Sequence, residues 1–241
     1  VEEAVHLLRR APAATLAVYA AGTVPFVLAG LFFWAHTAWF HPPAHLVAWG
    51  ALGLVALYGA MKVAHAEFCA RLLAQRLGAA PPVWSMSRFK RLLVAQFRLQ
   101  PWALLANLFA AVIAVPLGWT LAYAQSLSVL GDDAQLHDEA LGQAKLWPTQ
   151  NHAALLLLSG ASALAWGNIA AAFFAVPWLA NRLLGVENIF GFSGWWFFNT
   201  TFLVSVTALT WLVIDPLVKA FYTLRVFHGR ARRTGEDVRV E

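Results

Sequence analysis

Apolar residues fall in long runs along this chain, and charge is largely confined to the gaps between them. A helix that crosses a bilayer needs about 20 mostly apolar residues, because it rises about 1.5 Å per residue through a hydrocarbon layer about 30 Å thick. Five stretches reach that length: 13–39, 45–70, 101–130, 151–184 and 195–227. The first has no small-residue cleavage site, which predicts a retained helix rather than a processed leader. The last two would each run to about 50 Å as continuous helix, so they are expected to tilt, bend or project. The third carries Pro116, Gly118 and Trp119 midway. Proline removes an internal hydrogen bond and kinks a helix. A broken or re-entrant hairpin that turns back at Pro116 is therefore expected there, with a single crossing as the alternative.

Short polar segments precede three of the apolar runs: 3–10, 87–93 and 139–145. In the second, Phe89, Leu92, Leu93 and Gln96 share one helical face, while Arg88, Lys90, Arg91 and Arg98 lie largely elsewhere. That separation suits a helix lying on a membrane surface. The pattern as a whole predicts an all-α fold. Residues 1–241 are expected to form a single integral membrane domain, a polytopic bundle of about five or six membrane helices with amphipathic surface helices.

Composition narrows the class. The chain has 241 residues, 60% of them hydrophobic and 12% charged, against about 25% charged in a soluble domain. That excludes a disulfide scaffold, a disordered tail, a nucleic-acid-binding domain and an ordinary cytosolic enzyme. Cys69 is the one cysteine, so no intrachain disulfide forms. Twelve Trp suit the two interfacial belts of a bilayer.

The net charge of +5 informs topology. Arg9 and Arg10 precede the first run, and seven basic residues against one acid, Glu67, occupy 62–98. Lys219, Arg225, Arg230, Arg232, Arg233 and Arg239 crowd the C-terminal part, whereas 41–45 carries no Lys or Arg. The positive-inside rule places the basic regions, and with them both termini, in the cytoplasm. Five crossings would separate the termini, and a hairpin at 101–130 restores an even number. The expected location is a bacterial inner membrane, with membrane lipids and membrane protein partners and no nucleic acid.

Ionisable residues inside a bilayer are costly, so they are candidates for function. Asp215 and Lys219 stand i, i+4 on one helix face, around Pro216. They form either an ion or proton site, or a neutralised pair near a helix end with Lys219 snorkelling. Asn168 and Asn199 are further polar candidates, beside Asn107, Thr200, Thr201 and Ser205. Gly160, Ser162, Gly167 and Ala171 permit close helix approach. Substrate lining and helix–helix adhesion both fit these residues.

His36, His41 and His45 gather at the first turn, while His65 and His152 lie on later runs. These positions lack the facing pairs of a di-haem site, so neither haem nor another metal is expected. The acidic stretch 131–139 lacks the matched second cluster that a metal-bound diphosphate needs. Asp132 or Asp133 is expected to cap the helix that follows. No nucleophile elbow, His-Glu-x-x-His or phosphate loop is present. No catalytic residue, cofactor or enzymatic activity is expected.

The stretch Asp215-Pro216-Leu217-Val218-Lys219-Ala220-Phe221-Tyr222, continuing through Leu224-Arg225 to Arg233-Thr234-Gly235-Glu236-Asp237-Val238, resembles the ending of a known group. It is similar to the multi-span membrane domain of bacterial glycerophosphodiester phosphodiesterases and to related stand-alone integral membrane proteins. The resemblance implies about six helices with both ends cytoplasmic, and partnership with other envelope proteins. Thr223 stands where those proteins usually carry an acid, and these residues include no phosphodiesterase barrel, so that activity does not carry over. Two functional readings follow. One is a non-enzymatic integral membrane subunit that scaffolds or stabilises a larger complex, with lipids or hydrophobic cofactors against its apolar surface. The other is a small transporter or lipid-handling protein built around the Pro116 break and Asp215.

Overall fold

The computed structural model describes residues 1–113, 117–185 and 199–235. The described elements are all helical: α1 (Glu2–Arg9), α2 (Ala13–Phe40), α3 (Ala44–Arg76), α4 (Met86–Ile113), α5 (Leu117–Leu130), α6 (Leu136–Leu146), α7 (Pro148–Leu184) and α8 (Thr200–Thr234). Four of them, α2, α3, α7 and α8, are long and apolar enough to cross a membrane. Sequence reading expected five or six such helices. The third apolar stretch accounts for the difference, because it is divided between α4, whose first half is polar and basic, and the 14-residue α5.

Prolines mark several boundaries. Pro12 and Pro43 precede α2 and α3, and Pro148 opens α7, where a missing N–H costs nothing. His41 (φ 45°) and Pro42 turn the chain between α2 and α3. Pro101, Pro177 and Pro216 lie inside continuous helices.

Neighbouring helices run antiparallel. Tyr19, Thr23 and Phe26 of α2 meet Phe68, His65 and Tyr58 of α3 in descending order. Gly22 lets these two helices touch, since a Cβ there would overlap that of Ala64. Trp166 and Phe173 of α7 meet Thr207 and Phe202 of α8. The α4–α5 pair is a helical hairpin held by amides. Gln96 Nε2 donates to the carbonyls of Leu127 (3.0 Å) and Gly131 (2.8 Å). Gln100 Nε2 donates to Gln96 Oε1 and Ser128 Oγ. Leu127 lies in the last turn of α5 and Gly131 just past its end; the Leu127 carbonyl also accepts from the Gly131 N–H at 3.2 Å, and Gln96 reaches over from α4 as a second donor to this helix end. Pro116, the expected break, lies outside the described residues.

The expected surface helix at 87–93 is instead the first part of α4. Leu92 and Gln96 are fully buried against the bundle, packed beside Val63 and Ala66 of α3 and under α5. A polar side chain that satisfies two carbonyls draws this face inward. Segments 3–10 and 139–145 do correspond to the separate short helices α1 and α6.

One end of the bundle is packed and the other is open. The N-terminal half of α2, the C-terminal halves of α3 and α8, the start of α7 and nearly all of α5 hold most of the buried side chains. The starts of α2, α4 and α7 and the ends of α3, α5 and α8 meet there. Away from that end, Phe32, Trp39, Phe40, Trp49 and Leu164 are exposed.

Candidate functional site

A polar cluster lies inside the packed end, where α2, α3, α5 and α8 converge. Its centre is Asp215 of α8, 4% exposed. Asp215 Oδ2 accepts from the Tyr19 hydroxyl at 3.1 Å and faces His65 Nε2 at 3.7 Å. Asp215 Oδ1 pairs with Lys219 Nζ, one helical turn on, at 3.5 Å. Lys219 Nζ also donates to Gln125 Oε1 of α5. Asp215 and Lys219 thus meet as their i, i+4 spacing requires, with side chains from three other helices closing around them.

The hydrogen bonds fix more than position. Thr23 Oγ1 donates to the Tyr19 carbonyl at 2.8 Å and stands 2.9 Å from His65 Nε2. A hydroxyl has one proton, so Thr23 accepts from His65, and the imidazole carries hydrogen on Nε2. His65 Nδ1 is then left buried and without a partner. Tyr19 stacks on the imidazole with rings 5.1 Å apart and 5° from parallel. Half-buried Lys62 sits one turn before His65 on α3, over the Tyr58 ring. Cys69 and Thr223, both fully buried, flank the cluster.

The α8 backbone supports this arrangement. Pro216 lacks an N–H, so the Leu212 carbonyl loses its helical donor. Thr210 and Thr223 Oγ1 donate to the carbonyls of Val206 and Lys219 in their own helix. The apolar surroundings are Phe68, Leu127 and Tyr222, all essentially inaccessible. Tyr19, Thr23, His65, Asp215 and Lys219 are all 6% exposed or less. Such an arrangement can hold opposite charges, orient an imidazole and bind four helices together. It is closed as it stands.

A second charged group ties α3 to α4. Glu67 is fully buried and takes Arg71 Nε at 2.8 Å and Arg88 Nε at 3.1 Å. The acidic stretch after α5 is a third. Asp132 pairs with Arg91 at 2.9 Å, and Asp133 with Arg230 at 2.8 Å. The expected capping of α6 by either aspartate does not occur. Gln135 occupies the cap position without a side-chain bond, and Asp133 instead accepts from the Gln135 N–H at 3.0 Å. Ion pairs to α4 and α8 take both carboxylates away from the helix start.

The other sequence candidates lie apart from the cluster. Asn168 is exposed and donates to the Leu164 carbonyl one turn back at 2.8 Å. Asn199 caps α8, accepting from the Phe202 N–H at 2.8 Å. His36 stacks locally between Phe32 and Phe40. His65 was visible as an ionisable residue within an apolar run. Tyr19, Thr23 and Gln125 gave no sign, because ordinary helix faces carry such residues. No protein-family model, curated protein or solved structure matches the chain.

Proposed function

We propose that the chain is a multi-pass subunit of a bacterial cytoplasmic membrane, non-enzymatic, which scaffolds or stabilises a larger membrane complex. The observation that carries this reading is the free face of α7. This helix has 37 residues, about 55 Å of length. Its buried side chains, Asn151, Ala154 and Leu158, all lie near its start. Beyond them Gly160, Ala163, Gly167 and Ala171 recur on one exposed face. A Cβ added at Gly160 or Gly167 would meet nothing within 4 Å.

Small residues in a membrane helix let another backbone approach closely, and packing there drives association where the hydrophobic effect cannot. At Gly22 the same residue type is used inside this chain against α3. On α7 this small-residue face is exposed, and it fits a transmembrane helix of a partner protein. The basic ends of the helices lie together at the packed end, as Arg71, Arg76, Arg91, Arg225 and Arg230 show. The positive-inside rule turns that end to the cytoplasm.

The test is purification from native membranes in mild detergent, comparing wild type with the Gly160→Ile/Gly167→Ile double variant. A stoichiometric partner retained by the first and lost by the second, at equal thermal stability, is the expected result. A partner-free wild-type protein would overturn the reading. The buried ionisable cluster favours a second reading, a small transporter or lipid-handling protein. Its closure argues against open access, and Asp215→Asn in reconstituted vesicles tests it by abolishing any flux the wild type supports.

A further inference from the structure

Where the last turns of α8 meet the start of α7 and α1, a cleft of about 410 Å³ is lined by Trp147, Gln150, Arg225, His228, Arg232 and Glu3, among others. Arg225 is 6% exposed. Its Nη2 donates to the Trp147 carbonyl at 3.3 Å, but Nε and Nη1 are buried with no hydrogen-bond partner. Burying a charged donor without a partner is expensive. Arg225 and Arg232 both lie over the Trp147 ring, at 5.4 and 5.2 Å from its centroid. Ring contacts of this kind orient a guanidinium without neutralising it.

The acid of the cleft is already engaged. Glu3 faces Arg76 at 3.2 Å and His228 at 3.5 Å. Among the described residues, neither Arg225 nor Arg232 forms an ion pair with a carboxylate. The cleft therefore holds two guanidiniums on one indole, one of them buried with idle donors, while its acid, Glu3, is engaged by Arg76 and His228. A guanidinium fork matches the oxygens of a phosphate bidentately, and two guanidiniums together suit an anion of more than one charge. Trp147 and Pro148 also mark the start of a membrane-length helix, the depth at which phospholipid headgroups lie.

We propose that this cleft binds a phosphate group, with Arg225 and Arg232 as its fork and Trp147 as their platform. The source is either the headgroup of an anionic phospholipid or soluble phosphate. The site is independent of the small-residue face of α7, and its failure leaves the subunit reading untouched.

Native mass spectrometry of the full chain in neutral detergent tests it, with titration of phosphatidylglycerol, phosphatidylcholine and inorganic phosphate. The expected result is preferential retention of phosphatidylglycerol or phosphate over phosphatidylcholine. Arg232→Gln and Arg225→Gln should each weaken it about tenfold, as loss of one charge-assisted bond does, while the exposed Lys90→Gln changes nothing. Displacement of the lipid by millimolar phosphate identifies soluble phosphate as the source, and retention identifies the lipid. Arg232 is exposed, so its variant carries the test if Arg225→Gln fails to fold. Equal binding of all three ligands, or equal loss in Lys90→Gln, would overturn the proposal.

Discussion

Asp215 is held by three side chains of three kinds: a phenol, an imidazole and an ammonium. Removing one member of a buried ion pair strands the other, which costs about 3–5 kcal/mol, whereas replacing both with apolar groups is often neutral. Asp215→Leu and Lys219→Met should therefore each destabilise the protein by that amount in detergent unfolding. The double variant should be closer to wild type than either single one. If the double variant instead costs the sum of the two, the pair is not a coupled unit. The Asp215–Lys219 half of this cluster was legible in the sequence, because i, i+4 spacing needs only local geometry. Tyr19 stands 196 positions from Asp215, and nothing local announces that contact.

Among the elements, the apolar runs gave the positions of α2, α3 and α7 closely, because the length of a spanning helix follows from bilayer thickness. The α4–α5 region was less legible. Its fold depends on Gln96 and Gln100 reaching the end of α5, and a glutamine on the apolar face of an amphipathic helix does not announce which helix it will meet. Gln96→Leu leaves the Leu127 and Gly131 carbonyls without this donor. It should cost about 1–3 kcal/mol, read as a lower unfolding midpoint. The failed expectation of an Asp132 or Asp133 cap has a related cause, since Arg91 and Arg230 arrive from distant helices to take those carboxylates. Glycines make the sharpest contrast between elements. Gly22→Ile must push α2 from α3, as overpacking does, and should lower thermal stability. Gly167→Ile meets open space and should leave stability unchanged.

For the whole molecule, the antiparallel α4–α5 hairpin sets the topology. It returns the chain to the end from which α4 starts, so α7 and α8 complete a path that ends beside α1, where His228 meets Glu3. Labelling with a membrane-impermeant maleimide should report Ser85→Cys and Ala134→Cys on the same side and His41→Cys on the other. Cys69 is fully buried and should not react. Labelling of Ala134→Cys with His41→Cys would mean that α4 and α5 together cross the bilayer once. Charge patterning leads to the same expectation of an even number of crossings, which this labelling tests. The exposed end of the bundle was not legible, because an apolar run reads alike whether it packs inside its own chain or against something else.

The central claim is that α7 presents its small-residue face to a helix of another protein molecule. A photo-crosslinking residue placed at Gly160 or Gly167 in native membranes reads that contact directly. One discrete protein adduct is expected from these positions, whether a second copy or a different chain, and lipid adducts from the exposed Asn168, about 100° further round the helix. Lipid adducts alone from Gly160 and Gly167 would contradict it.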